Sequence, residues 1–176
     1  MGETCGRIRF MGEKIIKNLS IENIRRDFGK ASINEIQRIE TIKNIVLPTL
    51  YKDFISIHNE ASLHRDVFDY NDPNRGGSQN SDGISFENVE EILENIDLLQ
   101  YGEESDWDIK YRFEDGLIPF GENGGGDMIC FDYRKNKDTD NPPIVIWNHD
   151  MGLENRVVFI ADNFEEFVNI LHEPED

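Results

Sequence analysis

The sequence predicts an α+β fold, with N-terminal helices, a central and mostly antiparallel sheet, and a C-terminal helix packed on that sheet. Two observations predict it. The spacing of apolar residues is helical in the first part of the chain and changes to a strand period near residue 63. Short loops then link successive strand-like segments, and such loops favour antiparallel pairing because parallel neighbours need a long crossover.

The first predicted helix covers about residues 12–27, with Gly29 as a possible C-cap. Its apolar residues recur near a period of 3.6, at Ile15, Ile16, Leu19 and Ile24. We divide the chain into an N-terminal extension with this possible first helix, residues 1–30, and a single α+β domain, residues 31–176.

Two further helices have clear boundary signals. Ser32 and Glu35 form a capping box, and Ile36 and Ile39 follow on one face. Pro48 disfavours helix at the residue before it and can serve as the first residue of the next helix. The apolar stripe of that helix contains Leu50, Phe54 and Ile57.

The middle of the chain mixes strands with one long helix. Residues 63–70, LHRDVFDY, are predicted as a strand, residues 71–83 as a long turn-rich loop, and residues 84–86 as a short strand. Asn88 and Glu91 cap the helix that follows. Its predicted buried stripe consists of Val89, Ile92, Leu93, Ile96 and Leu99.

The second half contains five strand candidates and a closing helix. The candidates are DIKYRF at 108–113, GLIPF at 116–120, DMICFDY at 127–133, PIVIWNH at 143–149 and RVVFIA at 156–161. We expect an antiparallel sheet that holds residues 117–120, 127–133, 144–149 and 156–160. Asp162 and Glu165 are predicted to cap the last helix, with an inward face of Phe164, Phe167, Val168 and Leu171.

The net charge of −18, from 36 acidic and 18 basic residues, disfavours binding to nucleic acid or to anionic membranes, since both require Lys and Arg. It favours a basic protein partner. Residues 87–108 carry nine acidic residues and no basic ones. The alternative for such a segment is a solvated surface that aids solubility.

The candidate partner-binding surface comprises the polar face of the long helix and the segment after it. The helical period places Glu87, Glu90, Glu94 and Asp97 opposite the apolar stripe. The segment GEESDWD adds Trp107, which could equally be a core residue at the start of a strand. The full set is Glu87, Glu90, Glu94, Asp97, Glu103, Glu104, Asp106 and Trp107.

The glycine-rich stretch IPFGENGGGDMICFDY, residues 118–133, does not fit a phosphate-binding loop. Gly121 and Gly126 have the spacing of a Walker loop, but Asp127 and Met128 replace the required Lys and Ser or Thr. A strand rather than a helix follows, so no helix N-terminus is available to a phosphate. We expect Gly126 and Asp127 to shape a tight turn without contacting a ligand.

No catalytic or metal-binding pattern stands out, so we expect no enzyme activity and no cofactor. His58 and His64 lack the spacing of zinc ligands on a helix. Cys5 and Cys130 share no metal-type spacing and are interpreted as reduced thiols. The acidic stretch at residues 132–140 lacks the glycine and the terminal glutamate of a calcium loop.

Three motifs stand in order in the second half: IPFG at 118–121, GDMICFD at 126–132 and PIVIWNH at 143–149. Together they resemble the SUKH superfamily, specifically its Smi/Knr-like branch, and they include Pro119, Gly121, Gly126, Asp127 and Trp147 as structural residues. Upstream, the resemblance rests on Ile36 to Glu40, Leu47, Pro48, Tyr51, Phe54 and Asn59. It covers about residues 32–172. Glu60 and Ala61 stand where the family usually has two glycines.

The resemblance implies a non-catalytic α+β domain that binds proteins. Bacterial members are similar to immunity proteins, which bind and neutralise a cognate toxin domain, often a nuclease or a deaminase. The hypothesis is therefore a cytoplasmic immunity protein whose carboxylates occlude the basic cleft of a toxin. A regulatory interaction module without a toxin partner is the second reading, and an enzyme the third. The absence of an apolar h-region at the N-terminus agrees with an intracellular location.

Overall fold

The computed structural model describes residues 17–101, 113–152 and 154–175. Within them the helices and strands follow the order predicted for an α+β fold. The elements are β1 (Ile24–Arg26), α1 (Ile33–Lys43), α2 (Thr49–Ile55), β2 (Ser62–Leu63), β3 (Val67–Asp72), β4 (Ser78–Gly83), β5 (Ser85–Phe86), α3 (Val89–Tyr101), β6 (Leu117–Glu122), β7 (Met128–Asp132), β8 (Ile144–Trp147), β9 (Val157–Ala161) and α4 (Phe164–Ile170).

The central sheet has five strands in the order β5-β6-β7-β8-β9, and each neighbouring pair is antiparallel. The four strands predicted for it, β6 to β9, are therefore confirmed. Val, Ile, Phe and Met fill these strands, and β7 and β8 are buried almost throughout because both faces of the sheet are covered. Two smaller antiparallel pairs, β1 with β2 and β3 with β4, complete the fold.

The alternation of side chains along the strands divides the apolar core between the two faces of the sheet. On one face, Phe120 and Phe131 stack with ring centroids 4.3 Å apart, and Tyr51, Phe164 and Phe167 surround them. The helices α2 and α4 thus cover this face. A smaller cluster lies on the other face and consists of Phe113, Leu117, Met128, Cys130, Val145 and Trp147.

The predicted helix over residues 12–27 is wrong for its described part. Residues 17–19 and 21–23 form short 3₁₀ turns, and β1 pairs with β2. The side chain of Asn18 donates hydrogen bonds to Val168 O (2.7 Å) and Leu171 O (2.9 Å) near the end of α4. Long-range pairing therefore overrides the local helical period. Residues 12–16 lie outside the described residues, and Leu19 is buried in the main core.

The predicted loop over residues 71–83 is also wrong, because Ser78–Gly83 form β4 and pair with the whole of β3. Polar cross-strand bonds hold this pair, which the strand propensity of SQNSDG does not favour. Tyr70 Oη donates to Asp82 Oδ2 (2.7 Å), and Asp69 accepts from Gln79 Nε2 (3.0 Å) and from Ser81 Oγ. Side-chain pairing across the strands was not visible in the apolar pattern.

Two of the three predicted capping boxes are present. Ser32 with Glu35, and Asn88 with Glu91, exchange the expected bonds. The third prediction is wrong by one residue, because Asn163 rather than Asp162 caps α4 and accepts from the backbone N–H of residue 166. Pro48 is the residue before α2 rather than its first residue. The predicted strand at 108–113 lies almost wholly outside the described residues, and Phe113 is not in a strand.

Candidate protein-binding surface

The polar face of α3 presents carboxylates, as the helical period predicted. Val89, Ile92, Leu93 and Ile96 are buried against the core, whereas Glu90, Glu94 and Asp97 are exposed on the opposite face. Arg38 of α1 donates to Glu90 at 3.2 Å. The remaining members of the predicted surface, Glu103, Glu104, Asp106 and Trp107, lie outside the described residues, as does the side chain of Leu99.

Glu87 is not on that exposed face, which corrects its predicted position. It precedes the helix and is only 5% exposed. Its backbone N–H donates to Phe120 O of β6 (3.1 Å), and its Oε1 accepts from Asn95 Nδ2 of α3 (2.7 Å). Its Oε2 is buried without a hydrogen-bond partner. Glu87 therefore joins β6 to α3 while one of its oxygens remains unsatisfied.

Glu87 lines an open cleft between α3 and the outer edge of the sheet. The cleft has a volume of about 310 Å³. Five glutamates line it together with Ser85, Phe86 and Asn95, and they come from the loop after α2, the end of β5, α3 and β6: Glu60, Glu87, Glu91, Glu94 and Glu122. We call this feature the acid cleft. No lysine or arginine is among its lining residues, all of which belong to the described part of the chain.

Asn88 fixes two walls of the acid cleft. Its side-chain Nδ2 donates to Glu60 Oε2 (2.9 Å), and its backbone N–H donates to Glu91 Oε2 (3.1 Å). Glu60 has a φ of +56°, in the left-handed region that residues other than glycine rarely adopt. The helix cap thus also orients the carboxylates that face one another across the cleft.

Gly121 permits the close strand approach beneath the acid cleft. A Cβ atom at this position would lie 2.7 Å from Ser85 O and 2.9 Å from two side-chain carbons of Ile84. Since Ser85 pairs with Glu122 in the β5–β6 register, any larger residue at 121 would push β5 away. The predicted structural role of Gly121 therefore has a specific cause.

Burial, followed by the charges of Glu122 and Glu91, raises the pKa of Glu87 from 4.5 to about 8, and the hydrogen bond from Asn95 only partly opposes the shift. A carboxyl group with this pKa is mostly protonated at neutral pH. The acid cleft therefore contains a neutral carboxylic acid, Glu87, among its five lining glutamates at neutral pH.

The glycine-rich loop forms a turn whose amides are used internally. Asn123 Oδ1 accepts from the backbone N–H groups of Gly125 and Asp127, both at 2.9 Å, and Gly126 has a φ of +88°. Asp127 Oδ1 in turn accepts from the backbone N–H of His149 (3.0 Å). These bonds support the predicted turn, and they leave those two amides committed to Asn123 rather than to a phosphate.

Trp147 and Pro119, the other motif residues, are buried in the sheet. The Trp147 ring packs edge-on against Phe113 with centroids 5.1 Å apart, and the guanidinium of Arg156 lies 5.8 Å from its centroid. Pro119 lies where the β6–β7 register shifts, a position that tolerates a residue without an N–H. The interpretation of Trp147 as a core residue is confirmed.

Three of the four histidines, His58, His149 and His172, each lie beside an aspartate rather than in a cluster. His58 Nδ1 is 2.7 Å from Asp27 Oδ2, and His149 Nδ1 is 2.8 Å from Asp127 Oδ1. Within residues 17–101, 113–152 and 154–175, no group of three or more His, Cys, Asp or Glu side chains is placed to bind a metal. Burial raises the pKa of Cys130 well above its ordinary value, which makes it a poor nucleophile.

The sequence analysis missed Glu60 and Glu122 as members of the site. Along the chain they lie 27 residues or more from each other and from the centre of α3, and only the fold brings them together. One signal was present. Glu60 stands where the family that the sequence resembles usually has glycine, so the turn here carries a carboxylate that glycine would not supply.

Comparison with known families identifies the chain's relatives. The family model of the SMI1/KNR4 family (SUKH-1) matches residues 30–170, which is most of the chain. No curated protein matches the sequence. In the part of the chain that the structure describes, no helix is long and apolar enough to cross a bilayer.

Proposed function

Because the chain belongs to the SMI1/KNR4 family (SUKH-1), we propose that it is a cytoplasmic immunity protein. It binds a cognate toxin domain that targets nucleic acid and occludes the basic cleft of that domain. The family is consistent with this class of protein–protein function, and the nature of the partner is inferred from the charge of the surface.

The observation that supports this proposal is the concentration of carboxylates on and beside α3. Glu90, Glu94 and Asp97 are exposed on the helix, and the acid cleft adjoins them. A nuclease must have a positive cleft to hold phosphate groups, so a surface of carboxylates can occupy the same cleft. The net charge of −18 adds a long-range field that accelerates association with such a partner.

The test first looks for a toxin domain encoded beside the gene of this chain, and then uses that domain. Cells that express that domain should die unless this chain is co-expressed. The triple reversal of Glu90, Glu94 and Asp97 to Lys should keep the fold, as seen by circular dichroism, because all three side chains are exposed. It should slow association with the purified toxin domain by about tenfold or more at low salt, as measured by stopped-flow fluorescence.

A matched control separates a local surface from overall charge. Reversal of Asp138, Asp140 and Glu154 to Lys changes the net charge by the same amount on exposed loops after β7 and β8. Equal slowing by both triple variants would show that only the overall charge matters. A neighbouring toxin that neither binds nor is neutralised would overturn the immunity role and favour a regulatory interaction module.

A further inference from the structure

We propose that the acid cleft is a recognition pocket for one arginine side chain of the partner protein, with Glu87 as its central acceptor. The inference rests on the proposed function only in that the partner is a basic protein. It goes further because it assigns a specific subsite and a specific side chain to the interaction.

The unsatisfied oxygen of Glu87 is the first reason. A buried acceptor without a partner is costly, because it has lost its hydrogen bonds to water and gained none. Asn95 occupies Oε1 and leaves Oε2 available. A guanidinium that enters the cleft would satisfy this oxygen once Glu87 has released its proton, so the ionised side chain lacks a partner that a ligand would supply.

The surrounding charges select a cation. Four further glutamates line the cleft and no basic residue is among its lining residues. Asn88 holds one oxygen each of Glu60 and Glu91 in place. Carboxylates fixed by neighbouring bonds rather than free to rotate are preorganised, so a cation that binds between them loses little free energy in ordering them.

The shape of the site selects a guanidinium over a metal ion. The described carboxylates do not converge closely enough to form a metal site. A guanidinium is planar, carries five N–H donors and can bridge carboxylates that are several ångströms apart. A lysine ammonium has three donors at a single point and is more strongly hydrated, so it would satisfy fewer of these acceptors.

The backbone of Glu60 is compatible with this role. Its φ of +56° would suit glycine or asparagine better than glutamate. The side chain nevertheless lies in the cleft, where it accepts from Asn88. A residue that strains the backbone and contributes a carboxylate to a cleft of carboxylates is explained when the carboxylate binds something.

Arginine binding should be linked to the proton on Glu87. Among the described residues, the charged or titratable groups that act on Glu87 or line the cleft beside it are acidic or neutral: Glu60, Glu91, Glu94, Glu122, Tyr51 and Cys130. A guanidinium stabilises the ionised form of Glu87, which then releases its proton to solvent. Affinity should therefore rise between about pH 6 and about pH 8.

The test titrates the folded protein with capped arginine (Nα-acetyl-L-arginine methylamide) and follows amide resonances by NMR. We expect millimolar binding with shifts at Ser85, Asn95 and Glu122, and at least tenfold weaker binding of the capped lysine and of the neutral citrulline analogue. Glu87→Gln should weaken arginine binding about tenfold and abolish its pH dependence. Asp115→Asn, at the other end of β6, should leave the affinity for arginine and its pH dependence unchanged.

The outcomes are distinguishable. Equal shifts with citrulline, tighter binding of Mg²⁺ or Ca²⁺ than of arginine, or unchanged binding in both Glu87→Gln and Glu122→Gln would overturn the arginine pocket. Toxin neutralisation without arginine binding would leave the proposed function standing and remove this inference alone. Arginine binding in the cleft without toxin neutralisation would leave the arginine pocket standing and remove the proposed immunity function.

Discussion

The two ends of β6 carry carboxylates in opposite electrostatic settings. Near its beginning lies a set of residues that we call the paired cluster, in which each carboxylate has a cation: Lys43, Asp115, Asp132, Arg134 and Lys137. At its other end, roughly 20 Å away along the strand, Glu122 enters the acid cleft, which no cation lines in the described part of the chain.

The pKa values follow this difference. The hydrogen bond from Lys137, together with Lys43, holds the pKa of the exposed Asp115 below its ordinary value. In the acid cleft, burial and like charges raise the pKa of Glu87 to about 8. The fold therefore neutralises carboxylates where they support structure. It leaves them unpaired at one surface, and there the missing cations can come from a partner.

The largest expected effect is that Glu87→Gln stabilises the protein at alkaline pH. The folded chain retains a proton on Glu87 that the unfolded chain releases near 4.5, so folding becomes less favourable as pH rises toward about 8. Glutamine matches the neutral acid and does not titrate. The variant should therefore gain about 1.4 kcal/mol per pH unit over the parent between about pH 5 and about pH 8.

Urea unfolding of both chains across this pH range measures that difference. The two free energies of unfolding should coincide near about pH 4, where Glu87 is protonated in both folded and unfolded parent chains. A constant difference at every pH would show that Glu87 is not titrating in the fold, and the contrast between the two ends of β6 would then fail.

The paired cluster should respond with the opposite sign. Burial alone would raise the pKa of Asp132, but the bonds from Arg134 lower it, with Nε to Oδ1 and Nη2 to Oδ2 both at 2.8 Å. Asp132→Asn should therefore cost about 1–2 kcal/mol at neutral pH.

This stabilisation by Asp132 is present above the ordinary pKa of 3.8 and is lost as pH falls through the lowered value. Denaturant unfolding at neutral and acid pH should show the two chains converging only in acid. A variant as stable as the parent at neutral pH would contradict the structural role of the pair.

The sheet was predictable because its signals are local. Runs of Val, Ile and Phe separated by turn residues marked β6 to β9, and the capping boxes at Ser32 and Asn88 marked two helices. What could not be predicted depends on distant partners. No apolar pattern in the sequence signals the hydrogen bonds from Asn18 to the end of α4 or the polar pairing of β3 with β4.

The site was predictable in part for the same reason. The helical period correctly predicted that Glu90, Glu94 and Asp97 are exposed. It misplaced Glu87, which lies before the Asn88 cap and so does not follow the helix. Charge counts along the chain also could not show that Glu60 and Glu122 join α3, because only the fold brings these segments together.

A smaller effect should show whether Glu60, in the acid cleft, strains the backbone or stabilises the fold. Glu60→Gly relieves a left-handed backbone at φ +56° and removes one of five facing carboxylates. Both changes favour the folded state, and the first is worth about 1 kcal/mol. The added freedom of glycine in the unfolded chain and the lost bond from Asn88 oppose this gain. Thermal unfolding should show a rise in midpoint, whereas a fall would show that Glu60 is needed for structure.

The smallest expected effect concerns an exposed ion pair on α3, between Arg38 and Glu90. Their nitrogen and oxygen are 3.2 Å apart, but the side chains are 55% and 58% exposed. Water screens such a pair, and ordering two long side chains offsets much of the attraction. Glu90→Gln should therefore change the free energy of unfolding by less than about 0.5 kcal/mol, in contrast to Asp132→Asn. Urea unfolding measures this change. If Glu90→Gln lowers the free energy of unfolding as much as Asp132→Asn does, Glu90 is a structural carboxylate, and the exposed face of α3 does not belong with the carboxylates left for a partner.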